Sequence, residues 1–186
     1  MLNRKKIILG IIGEIAAGKT TISDYLKKQY KATSFRFSDM LRDILNRLYL
    51  QKTRENMQKL STLLRQNFGE DIMSKTILHD VQNAKSKFII TEGIRRPSDT
   101  LYLKELSNFY LIAINTKMRL RYERLIKRNE NIGDKNKTWQ EFRKESKQEA
   151  EQKIRKITKQ ADFIIDNNGS LKQLYKQINE IINKIE

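Results

Sequence analysis

Residues 13–20 read Gly13-Glu-Ile-Ala-Ala-Gly18-Lys19-Thr20, a match to the spacing G-x-x-x-x-G-K-S/T. The six residues before it, Ile7-Ile-Leu-Gly-Ile-Ile12, are almost wholly apolar, as expected of a strand buried on both faces. The residues after it, Lys19 to about Tyr30, carry Ile22, Tyr25 and Leu26 at helical spacing. A strand, a glycine-bounded loop and a helix in that order make a cradle for phosphate. The glycines let the backbone curl with its N–H groups inward, and the helix start presents positive potential. In that cradle Gly13, Ala16, Ala17, Gly18 and Thr21 supply backbone or hydroxyl contacts. Lys19 neutralises the outer phosphates, and the Thr20 hydroxyl is a ligand for Mg²⁺. These are the ATP and Mg²⁺ sites the motif predicts. G-x-G-x-x-G, the dinucleotide alternative, is absent.

Working outward, apolar segments alternate with helical ones. Strands are expected at Lys6–Ile12, Thr33–Phe37, Phe88–Thr91, Tyr110–Ile114 and Phe163–Ile165. Helices are expected at Asp39–Leu50 (Leu41, Ile44, Leu45 and Leu48 inward) and at Thr53–Phe68 (Met57, Leu60, Leu63 and Leu64 inward). Further helices are expected over Asp71–Asn83, Pro97–Leu106 and Lys117–Arg128. Thr138-Trp-Gln-Glu141 and Ser170-Leu-Lys-Gln173 are capping boxes, the first opening a long helix to about Gln160 and the second the C-terminal helix. Asn129–Lys137, apolar only at Ile132, reads as a mobile loop. The alternation predicts an α/β, three-layer fold around a five-stranded parallel sheet, in one domain over residues 1–186, with a small lid at about 124–143. Ligands of such sheets lie beyond the carboxyl ends of the strands.

Two acids and several arginines fall there. Glu92 closes the third strand, where a carboxylate holds Mg²⁺ directly or through water; its simpler role is an ion pair with Arg95 or Arg96. Asp39 follows the second strand and is placed to touch the acceptor or act as a base, its simpler role being a helix cap. Arg42, Arg95 and Arg96 carry guanidinium forks suited to an acceptor's phosphate. Arg124 and Arg128, with Arg143, flank the lid, whose closure would bring them onto the transferring phosphoryl group. His79, mid-helix, and Trp139 are expected to be surface and packing residues.

The composition bounds the rest. With 186 residues, 38% of them hydrophobic, there is one good core. No cysteine is present, so disulfides and thiolate chemistry are excluded and the cytoplasm is the expected compartment. The basic Met1–Lys6 segment is not read as a signal peptide, because no small-residue cleavage site follows the apolar run. The charge of +16 would attract polyanions. It is mostly lysine spread along helices rich in isoleucine and asparagine, a compositional bias rather than a patch. A nucleotide-gated nucleic-acid-binding module is therefore the alternative of a different class, and a specific nucleic-acid or membrane partner is not expected. Monomer and homodimer are both open.

The segments resemble known kinases. Gly13–Ser23 and Ala161–Leu171 are similar to the two ends of dephospho-CoA kinases, where the latter turn lies near the adenine of ATP; this resemblance assigns Asn168 to the nucleotide. Ser38-Asp-Met-Leu-Arg42 is similar to the G-D-M-L-R of adenylate kinases, whose arginine holds the acceptor phosphate. Arg124-Leu-Ile-Lys-Arg128 is similar to the R-L-x-x-R that begins their lid. Residues 53–78 and 92–96 resemble an uncharacterised, largely archaeal group of kinase-like proteins. The resemblance implies a P-loop fold of the nucleoside monophosphate kinase type. The implied activity moves the γ-phosphoryl of ATP to a nucleoside or deoxynucleoside monophosphate, or alternatively to dephospho-CoA. Dephospho-CoA kinases carry D-x-D after the second strand; here the pair is Phe37 and Asp39, which favours the monophosphate.

Overall fold

In the computed structural model, residues 6–128, 134–147 and 149–186 are described. The five expected strands are present: β1 (Ile7–Ile12), β2 (Thr33–Arg36), β3 (Phe88–Glu92), β4 (Phe109–Asn115) and β5 (Phe163–Asp166). All pair in parallel, in the order β2-β3-β1-β4-β5. The central β1 is covered on both faces, and its side chains alternate between two cores as the strand period demands. Ile7, Leu9 and Ile11 enter one core; Ile8 and Ile12 enter the other. At Gly10 the ring of Phe109 stands 2.7 Å from where a β-carbon would be, so only glycine fits between β1 and that ring.

Helices α1 (Lys19–Tyr30) and α8 (Leu171–Ile185) cover the first face, α8 through Leu174, Ile178, Ile181 and Ile182. Each such side chain contributes about 1.5–3 kcal/mol on burial. The second face receives α2 (Phe37–Arg47), α3 (Arg54–Phe68), α4 (Ile72–Asn83) and α7 (Glu149–Thr158). Thr53 caps α3 by accepting from Asn56 N–H, and Gly69, at φ 101°, ends it. The connection from β1 runs to β2 and that from β4 to β5, on opposite sides of the sheet. The chain therefore diverges above β1, where such folds place their ligands.

Four local expectations are corrected. Helix α2 starts at Phe37, because the Phe37 side chain is needed in the core, and it stops at Arg47; Leu48 is exposed rather than inward. Leu63 likewise faces out of α3, while Arg65 is buried. Pro97 opens only a 3-10 turn, Pro97–Thr100, and turns follow it to β4. The long helix after Thr138 is two: α6 (Trp139–Glu145) and α7, separated at Ser146, whose carbonyl accepts from Arg155 at 3.0 Å. Helix α5 (Met118–Arg128) precedes the segment read as a mobile loop. Of that loop, residues 129–133 lie outside the described residues. Residues 134–137 form a turn held by Tyr122, whose hydroxyl donates to the Lys137 carbonyl at 3.0 Å.

Candidate active site

Gly18 and Ala16 set the shape of the loop after β1. Both have positive φ, 105° and 58°, and Ala17 N–H donates back to the Glu14 carbonyl at 3.1 Å. No side chain caps α1 at Gly18, and the start of a helix presents backbone N–H groups and positive potential to the loop before it. Lys19 Nζ lies over the loop, donating to the carbonyls of Gly13 (2.7 Å) and Glu14 (2.9 Å). Thr20 is exposed at the helix start.

The loop is braced from three directions. The carbonyl of Ala17 accepts from the hydroxyl of Thr116 (3.0 Å) and from Asn167 Nδ2 (2.8 Å). Glu14 pairs with Arg121 (3.1 Å) and Arg155 (2.8 Å), and Arg121 also donates to the Ile15 carbonyl at 3.3 Å. Burial pushes the Arg121 guanidinium below its ordinary pKa, against the opposing pull of Glu14 and Glu151. Finally Ala16 and Ile15 pack with Leu125, Phe142, Met118, Tyr122 and Trp139 in a small separate core. Trp139 is thus a packing residue; its ring and that of Phe142 stack at 6.1 Å. His79 is on the surface.

Arg124 lies over the same loop. Its Nη2 donates to the Asn167 carbonyl at 2.9 Å, and Nη1 comes within 4.0 Å of the β-carbon position at Gly18. Nη1 is buried and finds no hydrogen-bond acceptor among the described residues. The Arg128 side chain lies outside the described residues, and Arg143 is exposed. In the β5–α8 turn it is Asn167, 5% exposed, that touches the loop. Asn168 instead accepts from Lys117 N–H at 2.7 Å.

Glu92 is buried at the end of β3, on the α1 face of the sheet. Its partners are not Arg95 or Arg96 but Ser34 (2.6 Å) and Arg36 (3.2 Å), with Lys27 at 4.0 Å. The register explains the pair: β2 and β3 set Arg36 opposite Glu92 on one face. Asp39 falls in the first turn of α2 rather than at its cap and pairs with Arg42 at 2.9 Å, while Arg42 also donates to Ser38 at 2.6 Å. Arg95 is exposed; Arg96 binds Glu70 at 2.6 Å. The backbone N–H groups of both arginines donate to Asp99, at 2.8 and 3.0 Å. Asp99 in turn meets the buried Arg65 at 2.7 Å.

Sequence reasoning missed Arg36, Arg65, Asp99, Arg121 and Asn167. Only Arg36 carried a usable signal, since two adjacent parallel strands place it beside Glu92.

A family model described as an AAA domain matches residues 12–143, so the chain belongs to that family. Among relatives, the UPF0200 protein of Methanocaldococcus jannaschii is 29% identical and aligns over 96% of this chain and 90% of its own. The UPF0200 protein of Staphylothermus marinus is 26% identical over 97% and 94%. In shape the chain is similar to a shikimate kinase from Bacteroides thetaiotaomicron, with a TM-score of 0.65 and 14% identity over 96% of this chain and 98% of that one. The fold is that of a P-loop kinase, and the archaeal likeness expected for the middle segments extends over nearly the whole chain.

Proposed function

We propose that the protein is a Mg²⁺-dependent phosphotransferase that moves the γ-phosphoryl of ATP to the phosphate of a small nucleotide-like acceptor, a nucleoside or deoxynucleoside monophosphate. The observation that carries this reading is Arg124. A buried guanidinium N–H without an acceptor among the described residues, held above Gly18, is a donor suited to the phosphates such a loop cradles. Lys19 and the uncapped start of α1 add positive potential to the same place. The residues present suit Mg²⁺. The Thr20 hydroxyl and the Glu92 carboxylate are hard oxygen donors, the kind Mg²⁺ prefers. Mg²⁺ would neutralise charge on the phosphates. Ser34 and Arg36 fix the Glu92 carboxylate in direction.

Arg42, within α2, and Arg95 and Arg96, in the segment after β3, follow the carboxyl ends of β2 and β3, the acceptor's side. An acceptor phosphate is already an anion and needs orientation more than a base. Asp39, already paired with Arg42, suits an orienting role better than abstraction of a ribose proton from dephospho-CoA. Residues 124–143 act as the lid in one domain with the sheet.

The test is an ADP-release assay over nucleoside and deoxynucleoside monophosphates, dephospho-CoA and oligonucleotide 5′-ends. Turnover with monophosphates alone is expected. Turnover with dephospho-CoA alone would reassign the acceptor. No turnover, together with oligonucleotide binding that survives physiological salt, would replace the kinase with a nucleic-acid-binding module.

A further inference from the structure

The segment after β3 is held by a buried ion pair. Arg65, on α3, is 7% exposed, and Asp99 is 2% exposed. One Asp99 oxygen accepts from Arg65 Nη2 at 2.7 Å. The other accepts from the backbone N–H groups of Arg95 and Arg96. The Asp99 carbonyl takes the hydroxyl of Ser74 at 3.1 Å, tying the turn to α4 as well. Arg65 Nη1 meanwhile donates to the carbonyl of Glu70 and lies 3.4 Å from Ser98 Oγ. Arg65 Nε is buried with no acceptor among the described residues. So much buried polar structure is costly to build for a surface turn. What it fixes is the backbone on which Arg95 and Arg96 stand, at the end of the sheet where the phosphate loop also lies, because β1 and β3 run parallel with Ile11 opposite Glu92.

Glu70 completes the arrangement. Its Oε1 accepts from Arg96 Nη1 at 2.6 Å and lies 3.4 Å from Arg65 Nη1. The Arg96 and Glu70 side chains are 39% and 57% exposed, so this carboxylate can swing away into water. A carboxylate offers a guanidinium the same sign of charge and the same kind of acceptor oxygen as a phosphate, with less charge, so a phosphate monoester can compete for the same N–H donor.

We propose that Arg96 heads an acceptor-side site for a phosphate monoester, that Glu70 is the internal anion which such a phosphate displaces, and that Arg65 and Asp99 are the positioning residues of the site. The assignment rests on the phosphotransferase reading for its role. Its chemistry stands on these contacts alone. Burial would push the Glu70 carboxyl up, but the hydrogen bond and charge of Arg96, with the charges of Arg65 and Lys153, outweigh burial and hold it below its ordinary value. Glu70 is therefore ionised, and a competitor, at neutral pH.

The probe is inorganic phosphate, titrated by calorimetry into the full chain carrying Lys19→Ala, which weakens the phosphate loop as a second anion site, so that each further substitution is read against this background. Adding Glu70→Gln should tighten phosphate about two- to fivefold, because a partly exposed competing pair is removed. Adding Arg96→Ala should weaken it by about tenfold or more, and Glu70→Gln on top of Arg96→Ala should restore nothing. Arg65→Lys, which cannot reproduce the fork, should weaken phosphate in protein that is still fully folded at the titration temperature. In the enzyme with Lys19 intact the same substitution should raise the acceptor KM and leave the ATP KM alone. An unchanged phosphate affinity in Glu70→Gln, or a gain that survives Arg96→Ala, overturns the proposal. If Arg65→Lys does not fold, the two surface substitutions decide it. The titration contains no nucleotide and no turnover, so failure of the phosphotransferase reading would show only in the acceptor screen.

Discussion

Asn167 donates from Nδ2 to the carbonyl of Ala17 across 2.8 Å, linking the turn after the last strand to the loop after the first, 150 residues away in the chain. The same nitrogen stands 2.2 Å from where a β-carbon on Gly18 would lie. The phosphate loop is therefore shaped partly by residues that no local motif contains.

Gly18→Ala tests that closure. The substitution places a side chain at φ 105°, costing about 1–3 kcal/mol, and drives Asn167 off the Ala17 carbonyl. ADP affinity by calorimetry should fall about tenfold or more, since loop and helix start no longer align. Adding Asn167→Ala should recover part of the loss. Wild-type affinity in Gly18→Ala would show that the contact does not shape the loop.

Lys19→Ala should abolish turnover while the far-ultraviolet circular dichroism and melting temperature stay close to wild type. Its ammonium bonds to two loop carbonyls rather than to any part of the apolar core. Retained Mg²⁺-dependent ATP turnover would remove this loop from the chemistry.

Glu14→Gln takes from the Arg121 guanidinium, 2% exposed, the carboxylate paired with it at 3.1 Å and leaves only the lesser pull of Glu151. Stranding a buried charge costs about 3 kcal/mol, which for a chain of this size is about 6–12 °C in melting temperature. Arg155→Ala removes the half-exposed partner of the same carboxylate and should cost far less. Equal shifts in scanning calorimetry would mean that burial of Arg121 is not what makes Glu14 matter.

Asp39→Asn separates the two acceptor readings. With a monophosphate acceptor, about a tenth or more of kcat should survive, since no proton need be taken from the nucleophile. A loss of about a thousandfold or more with a ribose hydroxyl acceptor would restore Asp39 as a base.

Tyr102 couples stability to pH at both ends of the scale. Its hydroxyl donates to Asp71, and that bond, followed by Lys75, holds the Asp71 carboxyl below 3.8. The bond to Asp71 likewise raises the Tyr102 hydroxyl above 10.0. The Asp71 contribution is present above pH 3.8 and lost as pH falls through the lowered value. The Tyr102 contribution is present below pH 10.0 and lost as pH rises through the raised value. Tyr102→Phe should therefore lower the melting temperature at pH 7 and flatten its fall toward pH 3 and pH 11. A fall as steep as in the wild type would exclude the pair.

What the sequence by itself determined is local. Apolar runs of strand length, the G-x-x-x-x-G-K-T spacing and the Thr138 and Ser170 capping boxes each depend on neighbours within one turn or one strand. The structure places β1, the loop, α1 and both caps accordingly. The family likeness of the middle segments belongs with them. Only the tertiary structure decided which polar groups meet. Arg65 and Arg121 sit in segments that look like ordinary charged helix, yet each is buried because a partner on another element, Asp99 or Glu14, offsets its desolvation. Asn167 rather than Asn168 reaches the loop because the β4–β5 register sets that turn. The helix expected to run unbroken from Thr138 to Gln160 divides at Ser146, where Arg155 reaches across to meet both the Ser146 carbonyl and Glu14. Helical pattern is a short-range property and survives in one dimension. Ion pairs spanning tens of residues do not, because the packing that makes a buried charge affordable exists only after the chain has folded.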